Sequence, residues 1–369
     1  MQGRSRRGRS RPSCRGLGGE APILSLTKPP TTFLCTPLIR SLAFSTCLTV
    51  KFTRMRVFFP VVVEALQLVV LLAGAPIFVG WVRMLKCWSQ GRSSAGLLQP
   101  YRDIRKLFSK DIVIAENASW IFRFTPYLVF GVAVLQGGII PILSAERPLA
   151  ATADVIVLVA LFTIARFFTA LAAMDIGTAF GGMGASREMT IASLSEPAML
   201  MAIFTVSLAT KSTSLAQMVQ LVADTQFLLR PSIVFAFLAF VMVALAETGR
   251  IPVDNPSTHL ELTMVHEAMT LEYSGRHLAL IEWAKMMKLF LFVMLATSLF
   301  FPWGIANVTD FRVLVMTFVL MLIKLLVVGV GLILIEVGLA KMRLFRLTEF
   351  LGSSFLLATL GMLSFYILE

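Results

Sequence analysis

The stretch AETGRIPVDNPSTHLELTMVHEAMTLEYSG, residues 246–275, concentrates groups that can carry protons. Glu247, Asp254, Glu261, Glu267 and Glu272 stand there against Arg250 alone, and Pro252 and Pro256 break any helix near the start. Carboxyl groups gathered in one cavity pass protons through bound water when burial and mutual repulsion draw their proton affinities together. A solvated acidic loop is the plainer alternative. A second candidate is GGMGASREMTIASLSEP, residues 181–197: three glycines in a small-residue turn precede Arg187 and Glu188, and Glu196 then enters an apolar run just ahead of Pro197. An ionised, unpaired carboxylate at membrane depth is costly. Glu196 is therefore expected to face the bundle, to be protonated in a polar cavity, or to pair with an Arg.

Further charges interrupt long apolar runs: Glu64, Arg166, Lys285, Lys288, Lys324 and Glu336. The same cost directs them toward other helices or water. Arg187, Arg250 and Lys324 are candidates for structural ion pairs, and Lys324, near the centre of its run, is a proton-path candidate as well. Cys14, Cys35, Cys47 and Cys87 form no CxxC pair, and His259, His266 and His277 lack the close pairing of a zinc site. No metal centre is readable in this chain.

The elements that must position these groups are membrane helices. The 369 residues are 57% hydrophobic and 15% charged, with a mean hydropathy of +0.82, whereas soluble domains carry roughly a quarter charged residues. Apolar runs at about 57–82, 120–143, 153–174, 190–210, 230–248, 279–303, 312–338 and 347–368 each approach the roughly 20 residues needed to cross a bilayer. Runs this long without alternation suit helices, so the expected fold is an all-α bundle of about eight transmembrane helices. The segment LLQPYRDIRKLFSKD, residues 97–111, sets Leu97, Leu98, Tyr101, Ile104 and Phe108 near helical spacing, as an interfacial helix on the membrane surface does.

The net charge of +12 does not imply nucleic acid. Residues 1–54 carry ten Lys or Arg against Glu20, or +9, and leave +3 for the rest. Loops after the first, third, fifth and seventh runs hold thirteen Lys or Arg against four in the opposite loops. That bias places the first set in the cytoplasm. Residues 1–54 read as a disordered basic tail, and Met55 directly before the first apolar run is the expected start of the mature protein.

The motif AExxRxPxD at 246–254, followed by ELxxxxxxxxxEYSG at 261–275, resembles the signature loop of the complex I subunit 1/H family. GxGASRE at 182–188 is similar to that family's second signature, and LLQPxxDxxKL at 97–107 to its interface helix. The resemblance covers nearly all of residues 57–350. It implies a subunit that joins a membrane arm to a redox arm and forms a surface cavity from which acids lead into a proton path. By position it implies relay or coupling roles for Glu196, Glu247, Asp254, Glu261 and Glu272, with Glu267 beside them and Arg250 as the motif's Arg.

Two departures bear on the branch. The chain is about three residues longer between Glu261 and Glu272, where His266 and Glu267 lie, and Lys285 replaces an acid. Both count against a quinone site, and the PVDNPSTHLELTMVHEAM and LEYSGRHLALIEWAK segments are most similar to the formate hydrogenlyase subunit 4 branch of membrane-bound nickel-iron hydrogenases. That branch implies a multi-pass subunit of the inner (cytoplasmic) membrane without catalysis or cofactor of its own. Its expected partners are the lipid bilayer, hydrogenase-like large and small subunits, an iron-sulfur subunit and antiporter-like membrane subunits, with iron-sulfur and nickel-iron centres on those partners. The alternatives are the quinone-binding member of the same family in NADH-quinone oxidoreductase, a secondary transporter, for which no internal repeat is visible, and a pure anchor, which needs no acidic loop.

Overall fold

The computed structural model describes residues 36–94, 96–144, 153–224, 230–250, 265–305, 311–338 and 344–368. Two compact units divide the chain, Met1–Arg54 and Met55–Glu369. In the first, residues 36–54 are helical where the sequence suggests a disordered tail, and residues 1–35 lie outside the described residues. The helices are α1 Thr36–Ser89, α2 Gln99–Phe108, α3 Trp120–Ile139, α4 Val155–Asp175, α5 Ala179–Thr210, α6 Leu215–Asp224, α7 Pro231–Glu247, α8 Gly275–Phe300, α9 Phe311–Gly338 and α10 Leu344–Leu368. No strand occurs among the described residues.

Each of the eight expected apolar runs lies on one of these helices. Among the described residues six helices are long and apolar enough to cross a membrane; α7 is shorter, and α8 carries Glu282, Lys285 and Lys288 in its first half. The charges of α8 are tolerable because it is the inner helix of the bundle, with Leu289–Leu295 buried throughout. The glycines at 181–184 belong to helix α5 and not to a turn, as the sequence suggests. Thr178 caps that helix by accepting from the Gly181 N–H at 3.3 Å, and an added Cβ at Gly181 would collide with the Ala173 carbonyl, so α4 and α5 meet there backbone to backbone.

Prolines inside the spans open the helical ladder, and aromatic donors close it. Pro76 has no N–H to offer the carbonyl of Leu72, so Trp283 Nε1 donates to that oxygen at 3.1 Å, and Tyr101 donates to the adjacent Ala73 carbonyl. Pro126 likewise frees the Phe122 carbonyl, which accepts from the Tyr273 hydroxyl at 3.1 Å while the two rings stack with centroids 4.0 Å apart. Burial pushes the Tyr273 phenol well above the ordinary tyrosine range, so it serves as a neutral donor. Tyr273→Phe strands that carbonyl and is expected to destabilise the protein by about 1–3 kcal/mol. Thermal unfolding of the purified protein reads this, and an unchanged midpoint would refute it.

The interfacial helix forms as expected. Pro100 and Ile104 are buried while Arg102, Arg105 and Lys106 are exposed. Gly80 makes room for its entry, since a Cβ there would overlap the Leu97 carbonyl. After α2 the chain is clasped by Ser274, whose Oγ accepts from Val113 N at 2.8 Å and donates to Val113 O at 2.7 Å. The Tyr-Ser-Gly of the signature loop thus anchors helices to one another.

Candidate functional site

Arg166, in the middle of α4, is the only guanidinium among the described residues that meets three carboxylates. On α5, Glu188 and Ser195 are seven residues apart, two turns along one face, and Glu196 flanks them; Glu247 ends α7. Arg166 Nη2 lies 2.5 Å from Glu247 Oε2, Nη1 donates to Glu196 Oε1 at 3.0 Å and to Ser195 Oγ at 3.2 Å, and Nε is 3.4 Å from Glu188 Oε1. Ser195 Oγ donates to Glu247 Oε1 at 2.5 Å, and Lys288 Nζ from α8 donates to Glu247 Oε2 at 2.9 Å. Arg166, Glu188 and Glu247 are all buried. A guanidinium at this depth is tolerable because its charge is compensated by several charge-assisted contacts.

The described end of the signature loop, from Val265 on, closes this network from the side. Gly184 lets it approach, because a Cβ there would lie 3.0 Å from Ala268 Cβ and 3.1 Å from the Val265 carbonyl. The close approach carries His266, whose Nε2 is 3.4 Å from Glu188 Oε2.

A second charged group sits at the ends of α1 and α9. Glu336 pairs with Lys86 and lies 3.8 Å from Arg250 Nη1. Burial, and then the like charge of Arg83, draw Arg250 below its ordinary value against the pull of Glu336. On α8, Lys285 donates to Glu282 at 2.8 Å and to Thr270 Oγ1 at 3.4 Å. Both groups, with Arg166, Glu188, Glu247, His266 and Lys288 of the network, line one cavity of about 540 Å³, and Ser195 and Glu196 are outside that wall. Among the described residues no three His, Cys, Asp or Glu cluster to hold a metal ion.

The sequence-derived candidates separate as follows. Glu247 is at the centre of the network and Glu196 at its edge. Arg250 joins the Glu336 pair, and the exposed Glu267 belongs to the cavity wall. Glu272 is exposed and outside that wall, beside the Tyr273 and Ser274 anchors. Arg187 is half-buried on α5 and also outside the wall. Lys324, a candidate for an ion pair, instead donates to the Phe301 carbonyl at 2.6 Å, and no carboxylate among the described residues pairs with it. Asp254 and Glu261 lie outside the described residues. Arg166, Lys288 and Glu336 are legible as charges within spans, whereas sequence reasoning missed the parts played by Glu188, Ser195 and His266. The seven-residue spacing of Glu188 and Ser195 was the available signal.

The NADH dehydrogenase family model matches residues 62–367. Formate hydrogenlyase subunit 4 of Escherichia coli K12 is 31% identical over 290 residues, 79% of this chain and 92% of that protein. Hydrogenase-4 component C of the same organism is 31% identical over 298 residues, covering 80% and 92%. NADH-quinone oxidoreductase subunit 8 of Rhodothermus marinus is 27% identical over 211 residues, 56% of this chain and 61% of that one. A chain in the structure of the membrane-bound sulfane sulfur reductase, an archaeal respiratory membrane complex, superposes with a TM-score of 0.71 at 20% identity, covering 83% of this chain and 98% of that chain. With its apolar helices, signature loop and buried charge network, the chain belongs to the NADH dehydrogenase family, as a multi-pass membrane protein of the complex I subunit 1/H type.

Proposed function

We propose that this chain is a non-catalytic subunit of a hydrogenase- or formate-hydrogenlyase-type complex in the cytoplasmic membrane. It docks the redox arm and couples electron transfer to proton translocation. The observation that carries the reading is the Arg166 network: an arginine, two carboxylates, a lysine and a histidine from four helices and the signature loop line one cavity, and Glu196 and Ser195 bond to that arginine from outside the wall. Such a site is expensive to bury and is useful where a charge must be moved and compensated. The 31% identity to formate hydrogenlyase subunit 4 and hydrogenase-4 component C, over four fifths of the chain, supports the hydrogenase side. Iron-sulfur and nickel-iron centres then reside on partner subunits, and the Lys- and Arg-rich end of the bundle faces the cytoplasm.

A quinone head group in the same cavity is the second reading, favoured by a volume within the range of ligand pockets. Affinity purification of the tagged chain from native membranes tests both. A nickel-binding large subunit and iron-sulfur subunits should copurify, and hydrogen-linked turnover should acidify the outer compartment of sealed vesicles. Recovery with NADH-oxidising subunits and quinone-dependent turnover would favour the second reading and overturn the first.

A further inference from the structure

We propose that the edge of the bundle formed by α2 and the start of α3 seats an acidic phospholipid, with its phosphodiester against the cations of α2 and an acyl chain along α3. This surface lies outside the Arg166 network, and the proposal stands whether or not the chain couples electron transfer to proton movement.

The first turns of α8 set the end of α2 beside the start of α3. Trp283 meets the Phe108 ring edge-on with centroids 6.4 Å apart, and the Phe130 ring at 5.4 Å. Gly275 approaches the intervening chain so closely that an added Cβ would lie 2.5 Å from the Asp111 carbonyl oxygen, and His277 meets the Tyr127 ring at 5.6 Å. Helix α2, residues 109–113 and the first two turns of α3 therefore form one continuous edge.

Two features of that edge identify its occupant. Its rim is basic, since Arg102, Arg105, Lys106 and Lys110 are exposed. Asp103 is the acid among them, and it is half-buried and accepts from Gln99 at 3.0 Å. Asp111 and Glu116 follow, both exposed, before the exposed Arg123, so the positive charge is concentrated on α2 and Lys110. Next to the rim, Trp120, Phe124, Tyr127, Gly131 and Leu135 recur at intervals of four, three, four and four residues, on one face of α3. The aromatic rings and Leu135 are exposed, and Gly131 has open space where a Cβ would stand, which leaves a dent between Tyr127 and Leu135.

A lipid with a negative headgroup matches both features. Aromatic side chains at one end of a span mark the boundary between membrane and water, and the apolar face that continues from them is matched by a hydrocarbon chain. Lys and Arg at that boundary attract acidic lipids and donate charge-assisted hydrogen bonds to a phosphodiester. A zwitterionic lipid would cover the stripe on α3 but leave the four cations of the rim uncompensated. The stripe extends about 20 Å along the helix, deeper into the hydrocarbon than a protein docked on the membrane surface reaches.

The assembled complex, purified through this chain and reconstituted in phosphatidylcholine nanodiscs, tests the proposal. The probes are a phosphatidylglycerol with a diazirine in its acyl chain and a phosphatidylcholine carrying the same chain. After illumination, peptide mass spectrometry should find adducts on residues 120–135 that favour phosphatidylglycerol by at least about fivefold, the weight of a single cation at a membrane surface. Arg105→Gln/Lys106→Gln/Lys110→Gln changes exposed side chains and should abolish that preference while leaving the phosphatidylcholine adducts unchanged. Gly131→Leu fills the dent with the cations intact and should lower the phosphatidylglycerol adducts. Equal labelling by the two lipids, a preference that survives in the triple variant, or undiminished adducts in Gly131→Leu would each overturn the proposal. Crosslinks from this edge to another subunit in place of lipid adducts would also overturn it and make the edge a protein interface.

Discussion

Arg166→Gln is expected to reduce the assembled protein in the membrane by at least about tenfold. The guanidinium contacts Glu188, Glu196 and Glu247, two of which are almost wholly buried. Breaking one buried ion pair from one side costs about 3–5 kcal/mol, and a folded domain has only about 5–15 kcal/mol to lose. Gln strands three carboxylates at once and leaves Lys288 as the cation on Glu247. The only escape is protonation of the carboxylates, which would also end any relay. Arg166→Lys should recover part of the loss, because an ammonium restores the charge but cannot extend planar donors toward α5 and α7 together. Abundance of the intact complex on native gels is the measurement. Normal abundance of Arg166→Gln would refute the view that this residue ties α4, α5 and α7 together.

The spans were legible because bilayer thickness dictates their length, and a run of about twenty apolar residues has few other uses. Glu196 was legible for a related reason, since an acid in such a run must be explained by partners, and Glu247 was legible as part of the acid-rich stretch at 246–275. The partners were harder to read. Arg166 is on a different helix from each of its acids, and the sequence shows that a charge is buried without showing which charge it meets. Glu188 looked like the tail of a loop motif, because three nearby glycines suggested a turn. Those glycines instead allow helix α5 to touch α4 at Gly181 and the signature loop at Gly184, and this contact brings Glu188 beneath His266. Glu272, whose motif position implied a relay, is exposed beside Tyr273 and Ser274, whose hydrogen bonds hold α3 and the segment after α2. A motif can be kept together by architecture at one position and by charge at another, and only the packing separates them.

Glu247→Gln is expected to assemble to within about twofold of the parent yet to lose proton pumping by at least about tenfold, a modest figure beside the contribution of a positioned acid or base to proton transfer. Gln has nearly the same shape and keeps one carbonyl oxygen to accept from Ser195, Arg166 or Lys288. Arg166 keeps Glu188 and Glu196 as partners and the Gln oxygen can still accept from Lys288, so the fold is spared. What it removes is the carboxylate that stands between Ser195 on α5 and Lys288 on α8. A proton arriving at Glu188 would find no carboxylate beyond it on the path toward α8. Turnover should fall with pumping if the two are tightly coupled. Abundance and hydrogen-linked acidification, measured in the same membranes, separate the possible roles. Loss of assembly would make Glu247 a structural ion-pair member. Full pumping at full abundance would leave the Arg166 network as a clamp between helices and this chain as a docking platform.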